Sequence, residues 1–513
     1  MDQPFLYKLF YLIIISLIFC TGASFSLKSP SSAYMDVYEA EMPFDKLEEH
    51  WGDGSLPGEK ALAGRISQQP GTADTAIEGI KTVHQTLANY RVVNRYNLSQ
   101  CYRVAIEHNI ALKQAANDVN LNRITNKNAQ YSILPSLSYN LGHYFSFGKN
   151  IDPVTNNFVY EGFSGGYTGV RVQLDLFSGF NRLNTIRQSA YAVESAEYLM
   201  KKKELDLLTN VTLAYARLLQ NKEQLAVEAN NLLSTEAQIK VVNEKIKVGR
   251  STKYEAYLFN SRYNAELANV INLKNDSSSA VQELKQLMNL GHQQEFDIAS
   301  LDTTILANIS ASQINTLEFI EMVLQKHPAL KQLEMQEEVA RIGVKIARSN
   351  YFPSLSIGGN ISSNYNVNQL NTSGQKTPLD AQLNNNLGQN ININLNVPLF
   401  SQWENRNKVK REKINIQNAR LSTEEAKNAI ITNTVQLINE FNFAKEKYGF
   451  NSTALELNKL SYSLYEEKYK LGQISSLELL NARDILNSYT ARYVQSKLQL
   501  YFQFQVIELL RHY

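Results

Sequence analysis

The sequence contains no proline between Pro153 and Pro328, and no glycine from Asn181 to Val248. Proline and glycine both interrupt helices, so their absence allows one helix to run through the whole of that second stretch. At about 1.5 Å per residue this helix would be on the order of 100 Å long, far longer than a globular domain requires. Its apolar residues keep the 3-4 spacing of a coiled-coil seam. The clearest part of this seam is Leu208, Val211, Tyr215 and Leu218.

Cysteine is almost absent, with Cys20 and Cys101 as the two examples. A mature chain that keeps only Cys101 cannot form an internal disulfide, and this residue lies in an apolar helical pattern typical of a buried side chain. The seven histidines show no metal-binding spacing, and neither a P-loop nor a G-x-G-x-x-G motif occurs. We therefore expect no cofactor, no metal site and no enzyme. The formal net charge of +2 gives no reason to expect a nucleic-acid partner.

The first residues have the pattern of a secretory signal peptide, which we predict over residues 1–23. Its apolar run, Leu9–Phe19, is too short for a comfortable membrane span. An alternative is a lipoprotein signal cleaved before Cys20, although a phenylalanine stands where a small residue is wanted. We predict that residues 24–95 form a poorly regular periplasmic segment, with a short helix near Ala76–Leu87.

The pattern becomes helical from Leu98 to about Tyr131 and then changes to a period of two. Two runs of about ten residues, 137–147 and 169–176, alternate apolar with polar side chains. They predict a β-hairpin, either half-buried in a soluble sheet or spanning a membrane with lipid on one face and water on the other. We expect Ser178 to cap the long helix. A returning helix is predicted to begin at Thr252, after a turn at Gly249.

Short segments of the chain recur, at an offset of 218 residues before the second hairpin and 223 residues after it. The recurrence predicts two structural repeats, 96–291 and 317–513, joined by a polar linker, 292–316. The recurring segments are Leu134–Ser138 with Phe352–Ser356, Leu176–Ser178 with Leu399–Ser401, and Lys247–Gly249 with Lys470–Gly472.

The last strand of the second repeat alternates asparagine with apolar residues between Asn390 and Val397. Its polar face would line a water-filled lumen, and it consists of Asn390, Asn392, Asn394 and Asn396. Four such strands cannot close, because membrane barrels need about eight strands and tolerate no open edge. Closure therefore requires at least two chains, and three chains would supply about twelve strands.

This order of elements, found twice, resembles the TolC family of outer-membrane efflux proteins. In each copy a helix, a Pro-Ser-Leu-Ser strand, a strand ending in Leu-Phe-Ser, a long helix, a glycine turn and a returning helix follow one another, and the resemblance covers residues 96–511. It is strengthened by Tyr96–Cys101, followed by Ala105 and Asn109, which is similar to the family's first helix.

The resemblance implies a membrane α+β fold, in which a trimeric, twelve-stranded outer-membrane β-barrel continues into a long periplasmic α-helical barrel. It implies an exit duct of a tripartite efflux or type I secretion system, which passes small molecules or polypeptide from an inner-membrane pump to the exterior. The alternative is a structural periplasmic coiled-coil spacer or tether without a pore. A spacer, however, has no need of hairpins with one polar and one lipid-compatible face.

The two glycine turns are expected to be the periplasmic tips, where a periplasmic adaptor of the pump would dock. The docking residues at these tips would be Val248, Gly249, Arg250, Leu471, Gly472 and Gln473.

The family resemblance also implies a gate beside the second tip, with Tyr469, Glu478 and Asn481 at the positions of a tyrosine and two acids. Asn481 departs from the family, which leaves Glu478 as the one carboxylate of this set, and Ile474 replaces a basic residue. Glu255, six residues after Gly249, is a candidate partner in the first repeat. The simpler interpretation is that Glu478 is an ordinary exposed acid of a helix.

Overall fold

The computed structural model describes residues 95–151, 158–159, 163–301, 304–367, 369–370 and 373–513. The predicted signal peptide, residues 24–94 and the helix expected near Ala76–Leu87 lie outside this part of the chain.

The first repeat contains one helix of 67 residues, as its lack of glycine and proline predicts. Its elements are β1 Arg95–Tyr96, α1 Leu98–His108, α2 Ile110–Tyr131, β2 Ser136–Ser146, β3 Asn150–Ile151, β4 Phe158–Val159, β5 Phe163–Ser178, α3 Asn181–Lys247 and α4 Lys253–Leu287.

The second repeat has the same order, with another helix of 67 residues. Between the repeats lie β6 Asp297–Ile298 and α5 Thr304–Ala311. The elements of the second repeat are α6 Thr316–Lys326, α7 Pro328–Ser349, β7 Ser354–Asn366, α8 Leu379–Asn385, β8 Gly388–Asn396, α9 Glu404–Lys470 and α10 Ser476–His512.

The prediction of one continuous helix from Leu98 to Tyr131 is wrong, because Asn109 divides it into α1 and α2. Asn109 has an extended backbone, and its side chain accepts a 3.1 Å hydrogen bond from the N–H of Leu112 at the start of α2. The same side chain donates a 2.9 Å bond to the carbonyl of Leu287 at the end of α4. His327, 218 residues later, divides α6 from α7 in the same way, so the break belongs to the repeated unit.

Four strands form one antiparallel sheet in the order β2-β5-β7-β8. Their register confirms the predicted alternation over most of the sheet, because most paired residues on neighbouring strands are of the same kind; exceptions are Leu141 opposite Thr168 and Ile361 opposite Gln389. The sheet therefore has one apolar and one polar face, and β2 and β8 are its edges. One apolar row is Leu137, Val172, Gly359 and Ile391, and the next row, on the polar face, is Ser138, Arg171, Asn360 and Asn390.

Ser178 does not cap the long helix, contrary to the prediction, but is the last residue of β5. The chain reverses through Gly179 and Phe180, both in the left-handed region, at φ of 61° and 66°. A side chain at Gly179 would place its Cβ 2.4 Å from the carbonyl oxygen of Ser349, so the close approach of α7 also requires glycine. The corresponding turn before α9 uses Trp403 at φ of 64°.

The helices form four columns. Both α2 and α4 pack along α3, and both α7 and α10 pack along α9. Contacts of α3 with α7 and α10 join the two repeats. The columns therefore follow the order α2/α4, α3, α7/α10 and α9, with α2/α4 and α9 as the outer columns. The largest core lies around Tyr215 and Leu218 of α3, with Leu284 of α4 and Phe502 of α10. None of the helices in the described residues is both long enough and apolar enough to cross a bilayer.

Candidate functional site at the helical tips

Both long helices end in the same glycine turn. Gly249 has φ of 73°, its N–H donates to the carbonyl of Ile246 at 3.0 Å, and the N–H of Arg250 donates to the carbonyl of Lys245 at 2.8 Å. This pair of bonds is a Schellman motif, which needs a left-handed residue and therefore favours glycine. The equivalent bonds around Gly472, 3.0 and 2.9 Å long, give the second tip the same shape.

The six residues predicted to dock a partner all lie exposed at these turns. Val248 and Leu471 occupy equivalent places and are 68% and 72% exposed, which is high for apolar side chains. Lysines fill the last turn of each long helix and interact favourably with its carbonyl end. Each tip therefore presents an exposed apolar side chain beside lysines, of which Lys247 and Lys470 are paired with Glu244 and Glu466.

The two tips lie side by side in the chain. Val242 of α3, Phe259 of α4 and Leu480 of α10 form one buried apolar cluster just above the turns. Val242 precedes Gly249 by seven residues and Leu480 follows Gly472 by eight, so the two turns are at the same level. Two equivalent turns at one level form a single surface.

The predicted gate residue Tyr469 is buried and faces the first repeat. It is 7% exposed, and the Lys245 ammonium lies 4.8 Å from the centre of its ring, within range of a cation–π interaction. Tyr469 thus connects the last turn of α9 with the last turn of α3.

Glu478 lies exposed at the start of α10, where it completes a capping box with Ser475. It accepts hydrogen bonds from the N–H and the hydroxyl of Ser475 at 2.8 and 2.9 Å. The bond from the N–H is the larger cause that holds the pKa of Glu478 below its usual value, and the hydroxyl bond adds to it. In the described residues no hydrogen bond joins Glu478 to Tyr469, and Asn481 lies exposed one turn further along α10.

Glu255 does have a partner in the other repeat. Its carboxylate accepts hydrogen bonds from the hydroxyls of Ser251, in its own turn, and of Ser476, the first residue of α10. Glu255 and Glu478 occupy equivalent positions in the two repeats, but only Glu255 is hydrogen-bonded to the tip of the other repeat. The structure therefore places Tyr469 and Glu255 in two separate contacts between the repeats, whereas Glu478 and Asn481 take part in neither contact.

Sequence reasoning missed a buried charged cluster above the tips. Arg483 of α10 donates a 2.7 Å hydrogen bond to Thr235 of α3 and lies 3.5 Å from the carboxylate of Glu266 of α4. Thr235 donates in turn to Glu266 at 2.7 Å, and Arg262 donates to the same carboxylate at 2.9 Å. A signal was present, because Glu266 follows the buried Phe259 by seven residues and so occupies a seam position.

A cavity of about 330 Å³ adjoins this cluster between α3, α4 and α10. Within it, Glu228 accepts hydrogen bonds from the side-chain amides of Asn231 and Asn269, both 3.0 Å long. Between Leu480 and Val494, α10 bonds to the first repeat through Arg483, and its residues Asn487 and Ala491 line the cavity. Nowhere in the described residues do three His, Cys, Asp or Glu side chains converge as metal ligands would.

The predicted lumen residues share the polar face of the sheet. Asn390, Asn392 and Asn394 of β8 pair with Asn360, Gly358 and Ser356 of β7. All four asparagines of β8, including Asn396, are exposed in the single chain, because β8 is an edge strand.

Comparison with known proteins identifies this architecture. The chain matches the model of the outer membrane efflux protein family over residues 101–290 and 319–509, once for each repeat. It is 22% identical to the outer membrane protein TolC of Salmonella enteritidis over 394 residues, 76% of each chain. It is also 22% identical to the pyoverdine export outer membrane protein OpmQ of Pseudomonas aeruginosa over 362 residues, 68% of this chain and 69% of that one.

Among solved structures, CusC, described in terms of transmembrane channel formation, is similar with a TM-score of 0.68 at 16% identity, over 83% of this chain and 93% of that one. That likeness shows the fold, and the family model matches most of both repeats. The chain therefore belongs to the outer membrane efflux protein family.

Proposed function

We propose that three copies of this chain form an exit duct whose sheets close into a twelve-stranded barrel in the outer membrane. The observation that carries the proposal is the sheet itself, with an apolar face, a polar face and two edges, β2 and β8, that pair with no further strand among the described residues. Unpaired edges are not tolerated in lipid, so β8 of one copy would pair with β2 of the next. The helical columns would extend the duct into the periplasm.

The tips would bind a periplasmic adaptor, which connects the duct to an inner-membrane pump. The support is the exposed pair Val248 and Leu471, which occupy equivalent places at one level and are flanked by lysines. Such a surface suits the apolar stripe of a partner helix. The pump would supply the energy of transport.

The transported substance would be a small molecule or a polypeptide, selected by the pump rather than by the barrel. The polar face of the described strands is lined by amides and hydroxyls, and its charged residues are Arg171 and Asp175, one of each sign. A lumen with balanced charge discriminates weakly between solutes.

The test is to purify the full chain in mild detergent, measure its mass, and record single-channel currents in planar bilayers. We expect a mass of three chains and stepwise conductance. A stable monomer in the membrane would contradict the assembly. A trimer that conducts no current would support the spacer or tether instead.

A further inference from the structure

The four helix ends that adjoin the sheet carry a strong excess of positive charge. They are the ends of α2 and α7, residues 119–131 and 339–349, and the starts of α3 and α9, residues 181–193 and 404–413. Together these stretches contain twelve lysines and arginines but only two acids. The twelve basic residues are here called the basic collar.

The collar is one band at the junction between the sheet and the helices. Each of the four helix ends lies within eight residues of a strand end. Side chains tie the ends together: Arg182 at the start of α3 donates a 3.0 Å hydrogen bond to the carbonyl of Ser132, just after α2. Asn405 in the first turn of α9 donates a 3.0 Å bond to the carbonyl of Asn350, just after α7. The basic residues of all four ends therefore lie at the same level.

The helix dipole accounts for only part of this charge. Cations are favourable at the carbonyl ends of α2 and α7, but they are unfavourable at the N-terminal ends of α3 and α9. Residues 404–413 of α9 nevertheless hold five basic residues and two acids. In α3, Arg182 and Arg187 both precede the first acid, Glu194. The basic residues at these two N-terminal ends need another explanation.

Ion pairs within the chain neutralise few members of the collar. Three members pair with acids at 2.7 to 2.9 Å, and they are Arg123, Arg341 and Lys408. The other nine form no ion pair within the described part of the chain. A neighbouring copy in the proposed trimer would add no acid, because β8 leads into α9, α2 leads into β2, and the end of α2 contains two basic residues and no acid. The collar therefore has an uncompensated positive charge.

An exposed apolar ridge lies between the sheet and the collar, where β8 leads into α9. Leu399, Phe400 and Trp403 are 93%, 74% and 59% exposed. The rings of Phe400 and Trp403 meet edge to face, with their centres 6.4 Å apart. The guanidinium of Arg406 lies 4.9 Å from the centre of the Trp403 ring, within range of a cation–π interaction. Tryptophan is enriched where a membrane meets water, and an arginine without a carboxylate partner can bind a phosphate through two parallel hydrogen bonds.

We propose that the basic collar binds the phosphates of anionic phospholipids in the periplasmic leaflet of the outer membrane. The inference rests on the proposed function, which places the apolar face of the sheet in lipid, and adds the class of lipid that the duct prefers. The main contact consists of Trp403, Arg406 and Lys410, because residues three and seven positions after Trp403 share its side of the helix.

Two observations favour an anionic lipid as the occupant. The ridge continues the apolar face of β8, so acyl chains can cover it, while the phosphate of the same lipid reaches the collar. Charge complementarity selects the headgroup, because phosphatidylglycerol carries a net negative charge, whereas the phosphate of phosphatidylcholine is balanced by its own ammonium group.

Quenching of Trp403 fluorescence tests the site in the full chain. The chain has two tryptophans, so Trp51→Phe leaves Trp403 as the single reporter. The protein is placed in vesicles of equal parts phosphatidylglycerol and phosphatidylcholine, with bromine on the acyl chains of one lipid or the other. Bromine quenches tryptophan on contact, so we expect stronger quenching when phosphatidylglycerol carries it. The difference should shrink at high salt, which screens charge.

Two double variants identify the basic residues that carry the preference. Arg406→Gln with Lys410→Gln removes two exposed charges of the collar, and Lys459→Gln with Lys468→Gln removes two exposed charges from the other end of α9. A basic residue near an anionic surface changes affinity roughly fivefold. The first variant should therefore lower the affinity for phosphatidylglycerol relative to phosphatidylcholine roughly 25-fold. The second should leave this ratio unchanged, and an equal decrease in both would overturn the site.

The remaining outcomes separate the lipid site from the proposed function. Equal quenching by the two brominated lipids would overturn the preference for an anionic headgroup. Absence of quenching by either lipid, with a changed reversal potential in the Arg406→Gln, Lys410→Gln variant, would place the collar inside the duct and overturn the lipid site. With a trimeric mass in mild detergent, both results would leave the proposed function intact. A mass below three chains would contradict the proposed function, and the lipid site with it.

Discussion

Arg483 and Glu266 form an ion pair between the two repeats, 3.5 Å apart, with side chains 6% and 1% exposed. A buried pair seldom adds net stability over an apolar pair of similar volume, because both charges lose their hydration. Removing one partner is different, since the other charge then stays buried without compensation. Loss of either residue should therefore weaken the packing of α10 against α3 and α4.

We predict that Glu266→Ala destabilises the helical barrel by roughly 3–5 kcal/mol. The matched control is Glu197→Ala, which removes an exposed partner of Arg123 at 2.7 Å and should cost at most about 1 kcal/mol. Thermal unfolding followed by circular dichroism should show the larger decrease for Glu266→Ala. The double variant Glu266→Met with Arg483→Met should recover much of the loss, and equal effects of the two single variants would contradict a buried role.

The sheet gives a second prediction, from two adjacent residues of β8. Ile393 pairs with Ile357 on the apolar face, and Asn394 pairs with Ser356 on the polar face. A charge on a lipid-facing strand position costs about 2–4 kcal/mol at the middle of the bilayer. Ile393→Arg should therefore abolish assembled trimer in outer-membrane fractions, whereas Asn394→Arg should assemble normally. Similar yields of assembled trimer from the two variants would show that the apolar face does not contact lipid and that the polar face does not line the lumen.

The long elements could be predicted because each is encoded locally. The absence of glycine and proline between Asn181 and Val248, and the alternation from Asn390 to Val397, are enough to predict α3 and β8. The break at Asn109 was missed because the apolar spacing continues across it. What divides the helix is the extended backbone of Asn109, whose side chain caps α2 and also donates to the carbonyl of Leu287, 178 positions away at the end of α4.

The candidate site was predicted less completely, for the same reason. The glycine turns are local and were predicted, but Lys245 beside Tyr469 and Thr235 beside Arg483 are contacts between repeats. Arg483 and Thr235 are 248 positions apart, and a single sequence does not show which of many charged residues will meet. The failed prediction for Ser178 has another cause: the strand runs up to the turn, and left-handed residues reverse the chain without a side-chain cap.

The tips give a third prediction, about docking. A photoreactive amino acid at Arg250 or Gln473, both exposed, should capture a periplasmic partner in intact cells. The control is Phe147, 83% exposed just beyond β2 at the far end of the sheet from the helices, which should capture none. Equal capture at all three positions would indicate nonspecific crosslinking. Capture at Phe147 alone would place the docking surface at the far end of the sheet rather than at the tips.

The last prediction concerns Glu478, which caps α10 and which, in three copies at the gate, would form a ring of carboxylates that favours cations. Glutamine serves in a capping box as glutamate does, so Glu478→Gln removes the charge while keeping the cap. We expect this variant to conduct with a smaller preference for cations and an unchanged unfolding temperature. The control is Glu244→Gln, another exposed acid near the tips, paired with Lys247 at 2.6 Å. An equal loss of preference in both variants would assign the effect to the overall charge of the tip.

The pH dependence of the current distinguishes Glu478 further. The hydrogen bonds from Ser475 hold its pKa below the ordinary value of 4.5, so the carboxylate remains charged at that pH. Because the pKa is lowered in the folded state, the stabilisation from these bonds is present above pH 4.5 and is lost as the pH falls through the lower folded value. Reversal potentials across a salt gradient should therefore show cation preference persisting at pH 4.5 and disappearing only in more acidic solution. Loss of preference well above pH 4.5 would mean that a group other than Glu478 determines it, and the gate would then lie at the Lys245–Tyr469 contact or elsewhere in the duct.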